Sequence, residues 1–213
     1  MIALWSGSPA SAASSSLANG SPDGRSDVRW HGALTEARAG SEFAFAQLIR
    51  AHQRTVYSLA LRALGAAAEA EELAQDVFLQ LYLALERIES PAHLVYWLRR
   101  TVTHRAIDRL RQRGRRPPPQ ALTATDPDTP LGERSASPFE DPLEVADPLL
   151  ARRLERHVAA LPAVARLVVL LRFQEDLDPA EIARVLDLSV NTVKSHLKRS
   201  LARLRADLRD RDT

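Results

Sequence analysis

Cysteine is absent from the 213-residue sequence. Its absence excludes disulfides, zinc ribbons and thiol nucleophiles, and it makes a reducing cytoplasm the expected compartment. No apolar run approaches the roughly 20 residues that cross a bilayer, and the N-terminus lacks the basic segment of a signal peptide. We therefore expect a soluble, unexported, cytoplasmic protein that makes no membrane contact.

Motifs that carry chemistry are missing as well. The sequence has no glycine-rich phosphate loop, no cluster of residues at metal-ligand spacing and no paired nucleophile and base. We expect no metal, no cofactor and no enzymatic activity.

Charge is distributed unevenly along the chain. The formal net charge is only +2, but Arg99 to Arg116 contains eight arginines against one aspartate, and Ser189 to Ala206 contains five cations and no acid. Arginines at such density repel one another unless a polyanion lies nearby. Two separate basic segments therefore indicate contact with phosphate groups at two places.

Composition divides the chain into four parts. Residues 1–32 are rich in small and polar residues and predict a disordered tail, whereas residues 33–116 have a helical periodicity that indicates four helices. Residues 117–148 contain eight prolines, seven acids and one arginine, which favours a flexible, extended linker. Helical periodicity resumes over 149–213. The sequence predicts an all-α protein of two small helical domains joined by an acidic, proline-rich linker.

The C-terminal domain contains a helix-turn-helix pattern. Pro179 suits a first helical position, Ala183 is small enough for two helices to cross, and Ser189 can cap the second helix. With Val193 and Leu197 facing the core, the remaining side chains point outward and can reach bases and phosphates in a major groove. These candidate DNA-binding residues are Asn191, Thr192, Lys194, Ser195, Lys198 and Arg199. The alternative is a solvated helix in an ordinary bundle.

Aromatic and arginine side chains are interleaved at the end of the first domain. Single-stranded DNA is held by stacking on aromatic rings and by a cationic groove along its backbone, and this segment offers both. Trp97 is expected to pack in the core, whereas Tyr96 is open between packing and base contact. The candidate residues are Tyr96, Arg99, Arg100, His104, Arg105, Arg109, Arg111 and Arg113.

An acidic helix face lies earlier in the first domain. An apolar stripe formed by Leu73, Val77, Leu81, Leu85 and Ile88 has helical spacing, and the opposite side carries Glu71, Glu72, Gln75 and Asp76. An acidic face by itself is usually just solvated, so composition alone does not identify a partner.

Taken in order, these segments resemble the extracytoplasmic-function group of the sigma-70 family of bacterial RNA polymerase sigma factors. Glu69 to Phe78 resembles the Asp-Ala-Glu-Asp-Leu-Val-Gln-Glu-Val-Phe pattern of region two, and Trp97 to Arg111 resembles its Trp-Leu…Asp-x-Leu-Arg pattern. Leu161 to Leu204 resembles region four. The likeness covers about Phe43 to Leu208, and His104 stands where the family usually has asparagine.

The resemblance implies a partner for each segment. The acidic face would dock on the clamp helices of the largest subunit of core RNA polymerase, and the flap of the second-largest subunit would be a further contact. The segment from Tyr96 to Arg116 would recognise and help melt the minus-ten element of promoter DNA, and the helix from Val190 would read the minus-thirty-five element. An anti-sigma partner is left open.

Two other classes of protein share parts of this pattern. A dimeric helix-turn-helix regulator would bind palindromic duplex operator DNA without polymerase, but its sensor domain would need neither the arginine segment nor an acidic docking helix. An antagonist that binds polymerase without DNA would keep that binding after Lys194, Lys198 and Arg199 were neutralised.

Overall fold

Helices form all the regular secondary structure of residues 24–115 and 148–209, the part of the chain described by this computed structural model. The first bundle contains four helices, which are α1 (Gly24–Arg38), α2 (Glu42–Leu64), α3 (Ala67–Ala84) and α4 (Pro91–Arg115), with a 3-10 turn at Leu85–Arg87. The second contains α5 (Pro148–Ala159), α6 (Ala163–Phe173), α7 (Pro179–Leu186) and α8 (Val190–Arg209). The predicted all-α class is confirmed, and the linker predicted for 117–148 lies outside the described residues except for its last one.

Both ends of α2 follow from local chemistry. The Ser41 hydroxyl accepts a hydrogen bond from the Ala44 amide at 3.2 Å, which satisfies one of the free amides of the first turn. Gly65 ends the helix at φ 76°, in the left-handed region that glycine enters without steric cost. The break expected near Gly65 is present.

The predicted apolar stripe, which starts on α3 and continues through the 3-10 turn to Ile88, forms the centre of the first bundle. Leu73, Val77, Leu81 and Ile88 have no exposed surface, and Leu85 has almost none. This face packs against α2 and α4, so the opposite face of α3 lies at the surface. The core therefore fixes which side of α3 can meet a partner.

The tail predicted for residues 1–32 is wrong over residues 24–32, because α1 begins at Gly24. Leu34 and Ala37 are buried, and the Trp30 ring lies 6.2 Å from the His52 ring of α2. A few apolar side chains are enough to hold this helix against the bundle, although their spacing was too sparse to predict it. Residues 1–23 lie outside the described residues.

The second bundle is divided by the breaks that the sequence predicts. Asp178 and Glu181 form a reciprocal capping box at the start of α7, in which the Asp178 carboxylate accepts from the Glu181 amide at 2.8 Å. Asp187 ends α7 in the left-handed conformation, at φ 57°. The short turn to Ser189 then sets the angle between α7 and α8.

The two bundles pack directly against each other. Helices α2 and α4 of the first bundle contact α6 and α7 of the second, and buried apolar residues of both bundles form one continuous cluster. The sequence predicts two cores, each belonging to one domain. The continuous core brings α4 and α7 together, and this contact determines the environment of the candidate DNA-binding residues.

Candidate nucleic-acid and polymerase interfaces

Helix α8 presents a basic, polar face to solvent. Val193 is fully buried and Leu197 is half-buried, as the helix-turn-helix pattern predicts. Five of the six candidate residues of this helix are exposed, namely Asn191, Lys194, Ser195, Lys198 and Arg199. Within the described residues the three cations form no ion pair. Their positive charge is therefore available to an anionic ligand.

Thr192, the sixth candidate, belongs to the helix cap. Its amide donates to the Ser189 hydroxyl at 3.1 Å, and the two hydroxyl oxygens lie 2.8 Å apart. Thr192 is also half-buried. Its hydroxyl contacts the cap at the start of α8, and its role as a DNA contact stays a prediction.

His196 is a residue of α8 that the sequence pattern did not single out. It is half-buried, and desolvation, followed by the charge of Arg199, holds its pKa below the ordinary value of 6.5. A histidine between an exposed serine and a half-buried leucine gives no periodic signal. The structure places this imidazole beside the basic face of α8.

The N-terminal half of α4 is covered by the end of α7. The Tyr96 hydroxyl and the Arg100 guanidinium donate to the Arg184 carbonyl at 3.2 and 3.0 Å. His104 Nε2 lies 3.1 Å from the Val185 carbonyl oxygen, which can only accept. Three candidate minus-ten residues are thereby joined to one helix terminus.

Arg99 meets a buried carboxylate of the second bundle. Its Nε lies 2.9 Å from Glu175, whose side chain is only 6% exposed. Beside this pair, the Gln174 amide donates to the Ser58 hydroxyl at 2.9 Å. Neither Glu175 nor Gln174 was predicted to have a role, because both lie in a short loop after α6 without a motif.

The C-terminal half of α4 is paired with the acidic face of α3. Arg109 lies 2.7 Å from Asp76 and 3.2 Å from Glu72, and it also donates to the Glu69 carbonyl. Arg113 forms an ion pair with the Glu69 carboxylate. Two sets of residues predicted to meet different partners are therefore in contact with each other.

Arg105, Arg111 and Arg113 are the exposed arginines of the candidate minus-ten set. Arg113 is held by Glu69, and the Arg105 guanidinium donates to the Gln80 amide of α3. Arg111 has only a marginal contact of 4.0 Å with Asp108, and exposed pairs of this kind contribute little to stability, so Arg111 can exchange partners freely.

The acidic face of α3 continues into an apolar one. Glu71 and Gln75 are exposed, and Leu79 and Leu83 extend the exposed side of the helix with 55% and 76% of their surface accessible. Tyr82, also exposed, makes an edge contact with the Phe45 ring at 5.3 Å. Sequence reasoning missed these apolar residues because it read the apolar positions of α3 as core.

The described residues contain no group of acidic, histidine or cysteine side chains that could hold a metal ion. None of the described helices is both long and apolar enough to cross a membrane. The exposed side of α3 and the basic helices α4 and α8 are the candidate surfaces of the described residues. Together with the helix-turn-helix, they define an all-helical protein with two basic helices.

Comparison with known proteins identifies the family. Residues 48–116 match the model of Sigma-70 region 2, and residues 151–204 match the model of Sigma-70, region 4. The RNA polymerase sigma-H factor of Pseudomonas aeruginosa is 31% identical over 78% of this chain and 87% of its own length. The ECF RNA polymerase sigma factor SigW of Bacillus subtilis is 28% identical over 83% of this chain and 95% of its own. The chain belongs to the extracytoplasmic-function group of the sigma-70 family.

Two further comparisons have a narrower meaning. A probable RNA polymerase sigma factor RfaY of Xanthomonas campestris is 31% identical over 87% of this chain, which spans only 45% of that relative's length. The sigma factor RpoE, solved in complex with the anti-sigma factor NepR from Bartonella quintana, has a TM-score of 0.56 at 17% identity and matches 77% of this chain and 96% of its own. This second likeness is one of fold.

Proposed function

We propose that the chain binds core RNA polymerase, places α8 on the duplex minus-thirty-five element and places α4 on the minus-ten element as its strands separate. The observation that carries the proposal is the presence of region 2 and region 4, in that order, on one chain. Two DNA-facing helices on separate bundles suit two elements on one promoter. Catalysis in this scheme belongs to the polymerase, and the cytoplasm, where that enzyme works, is the proposed location.

Docking on polymerase is assigned to the exposed side of α3. Its acidic part includes Glu71 and Gln75, and its apolar part includes Leu79 and Leu83. An apolar centre with a charged rim suits a stable protein interface, and the acidic rim favours a basic partner. A cationic helix pair on the largest polymerase subunit is the proposed partner, and the flap of the second-largest subunit is proposed to contact the second bundle.

Promoter duplex is assigned to α8. Asn191 and Ser195 offer hydrogen-bonding groups for base edges, while Lys194, Lys198 and Arg199 offer charge for phosphates. This face is preformed, because the Ser189 cap fixes the first turn and Val193 anchors the helix to the core. Little ordering is then needed when DNA binds.

Separated strands are assigned to α4. Its tyrosine and arginines can stack on bases and follow a phosphate backbone. Within the described residues Arg105 and Arg111 are exposed and have no carboxylate partner closer than 4.0 Å, whereas Arg109 and Arg113 are held by the α3 acids. We therefore place the first DNA contacts at Arg105 and Arg111, and assign Arg109 and Arg113 to positioning of α4.

An anti-sigma protein is a further proposed partner. The fold is that of a sigma factor whose solved structure contains an anti-sigma factor. A protein that covered the exposed side of α3 would block the proposed polymerase contact. Such a partner would thereby prevent the chain from initiating transcription.

Reconstitution with bacterial core polymerase tests the proposed function. Purified chain and core enzyme are mixed, examined for co-elution, and assayed for transcription from a library of promoter fragments. The expected result is co-elution with initiation from a defined subset of promoters. Binding to palindromic duplex without co-elution would instead establish a conventional regulator.

A charge reversal on α3 locates the docking surface within that experiment. Glu71→Lys is the informative variant, because Glu71 is exposed and makes no ion pair within the described residues. Glu72 and Asp76 are less suitable, since reversing them would also release Arg109. Glu36→Lys on α1 is the matched control, as an exposed glutamate on another helix. Loss of co-elution in Glu71→Lys alone supports the assignment, and equal behaviour of the two variants contradicts it.

A further inference from the structure

Helix α8 is longer than its candidate DNA-binding segment. The candidate residues lie between Asn191 and Arg199, whereas the helix continues to Arg209. With a rise of about 1.5 Å per residue, the part beyond Arg199 adds about 15 Å to the helix. This second half of α8 contains no candidate DNA contact, so its contacts within the protein indicate its role.

The two halves of α8 are anchored in different apolar clusters. Val193, in the first half, belongs to the cluster that runs through both bundles. Leu204, in the second half, belongs to a separate small cluster with residues of α6 and of the turn before it. Val158 of α5 packs against this second cluster. The position of the second half of α8 therefore depends on α5 and α6.

Polar contacts join the same half of α8 to α5. Nδ1 of His157 on α5 lies 3.4 Å from Oδ2 of Asp207. One turn earlier on α5, the Arg153 guanidinium donates to the Leu208 carbonyl at 3.3 Å. The carbonyls of a last helical turn need partners outside the helix, and Arg153 supplies one. Helix α5 therefore holds α8 at its C-terminal end, away from the candidate DNA contacts.

Asp207 is an exception in the composition of α8. It is the only acidic residue between Val190 and Arg209, a segment with six lysines and arginines. An acid that faced the phosphates of DNA would repel them. The Asp207 side chain is 34% exposed and faces His157, and Nε of Arg203 lies 3.8 Å away on the same helix. These neighbours indicate a contact within the protein rather than one with DNA.

The position of its C-terminal end affects the angle of the whole helix. A rotation of α8 by about 10° around Val193 would move Arg199, which lies about 9 Å further along, by about 1.5 Å. The distance from donor to acceptor in a hydrogen bond varies by only about 0.5 Å. A modest change of angle therefore breaks contacts to base edges, whereas the attraction between cations and phosphates, which is less directional, largely persists.

We propose, on the basis of the proposed binding of α8 to the minus-thirty-five element, that His157 and Asp207 are positioning residues for its recognition. Through this pair α5 fixes the C-terminal end of α8 and so sets the angle at which Asn191 and Ser195 meet base edges. Loss of the pair should lower discrimination between promoter sequences more than it lowers affinity for DNA in general.

Two substitutions of His157 separate positioning from helix stability. His157→Leu removes the nitrogen that faces Asp207, whereas His157→Asn keeps an amide nitrogen close to the position of Nδ1. Asparagine favours helix less than leucine does, so a role in helix stability alone ranks His157→Asn below His157→Leu. Positioning of α8 ranks the two variants in the opposite order.

Distances between spin labels test the fixation of α8 in the free, full-length protein. The chain has no cysteine, so Ala180→Cys on α7 and Ala202→Cys on α8, both exposed positions, provide two label sites. The parent protein and His157→Asn are expected to show one narrow distribution of distances, and His157→Leu a broader one. Equal widths in all three proteins would overturn the proposal.

Holoenzyme binding measures the consequence for recognition. Each chain is combined with core polymerase, and dissociation constants are compared for a promoter fragment selected in the reconstitution and for the same fragment with a scrambled minus-thirty-five element. The ratio of the two constants should fall about threefold in His157→Leu, in keeping with loss of one partly exposed pair, and should keep its parental value in His157→Asn. Equal ratios in the two variants would overturn the proposal.

Asp207→Asn tests the other partner of the pair. Asp176→Asn is the matched control, because it removes the same charge from an exposed residue of the same bundle, and asparagine tolerates the positive φ of 51° there. Both variants should gain affinity for DNA through their higher net charge, but only Asp207→Asn should lose discrimination. Equal discrimination in the two variants would contradict the role of Asp207.

Failure of the proposed function would be recognised in the parent protein. A parent holoenzyme that did not distinguish the intact fragment from the scrambled one would defeat the assignment of α8 to the minus-thirty-five element. The spin-label distances, which are measured without polymerase or DNA, would still decide whether His157 fixes α8.

Discussion

Helices α4 and α8 are both basic, yet they present their charge differently. On α4, Arg99 and Arg109 meet carboxylates of other helices or loops at 2.9 and 2.7 Å. On α8, Lys194 and Lys198 are exposed and form no ion pair within the described residues. Local cation density therefore overstates the free charge of α4 more than that of α8. Tertiary structure brings acids of other elements to α4, whereas on α8 Arg203 is paired with Asp207 of the same helix.

A histidine lies next to an arginine associated with each of these helices. His52 of α2 is close to Arg99, and desolvation, followed by the charge of that arginine, lowers its pKa from 6.5 to about 4. On α8, His196 is affected in the same direction by desolvation and Arg199. The arginine beside His52, Arg99, is paired with Glu175, whereas the arginine beside His196, Arg199, is exposed and has no ion pair within the described residues.

The largest expected effect comes from removing the free charge of α8. Replacing Lys194, Lys198 and Arg199 together by alanine should weaken holoenzyme binding to promoter duplex by roughly a thousandfold, or ~1.4 kcal/mol for each contact. Thermal stability should stay unchanged, since these side chains are exposed. Fluorescence anisotropy over a range of salt concentrations measures both the loss and a shallower salt dependence.

Arg205→Ala is the control for that triple variant. Arg205 is an exposed cation further along α8 and is not a candidate DNA contact. Its removal should have little effect on promoter affinity. A loss of binding free energy in Arg205→Ala about one third as large as that of the triple variant would mean that α8 acts only through overall charge.

His52 should make folding stability dependent on pH. The unfolded histidine takes up its proton near pH 6.5, but the folded one does so only near pH 4, so the unfolded chain binds more protons between these values. The contribution of His52 is fully present above pH 6.5 and is lost as the pH falls toward 4, by about 3 kcal/mol.

Urea unfolding from pH 7 to pH 4 measures this dependence. His52→Gln should flatten the curve relative to the parent protein. A parental slope in His52→Gln would show that other groups cause the acid sensitivity.

Arg109→Ala should lower the free energy of unfolding, because Arg109 is held by acids of α3. The substitution removes contacts to Asp76, Glu72 and the Glu69 carbonyl, and we expect a cost of about 1.5 kcal/mol. Arg111→Ala, whose only described ion pair is marginal, should cost far less. Chemical denaturation compares the two, and equal costs would contradict the division between held and free arginines.

Asp178→Ala should have the smallest effect of the four. It removes the capping box of α7, the helix that touches both α4 and α8, at an expected cost of about 1 kcal/mol. Thermal unfolding measures it, with Asp176→Asn as a neighbouring control outside the cap. Amide hydrogen exchange shows which helices lose protection in Asp178→Ala. Faster exchange in the second bundle alone would show that α7 does not stabilise α4.

Much of the fold follows from local sequence. The apolar stripe of α3, the glycine after α2 and the cap before α8 each act over a few residues, and each lies where the pattern predicts. Helix α1 was missed because its few anchoring side chains gain their partners from α2, which local periodicity does not reveal.

The candidate surfaces were only partly predictable. The exposed face of α8 follows from helical spacing within one segment, but the pairing of Arg109 with Asp76 joins residues far apart in sequence. The ion pair of Glu175 is harder still to predict from sequence, since it depends on burial of this residue against another bundle. Clusters of charged residues can be recognised in a sequence. Which of them pair with one another can be known only from the fold.

Hydroxyl-radical footprinting of promoter DNA tests the central claim most directly, with the chain alone and with core polymerase. The account predicts that the free chain protects at most the minus-thirty-five element, through α8, and that both elements are protected once polymerase is bound. Protection of the minus-ten element by the chain alone, or of neither element in the presence of polymerase, would contradict it.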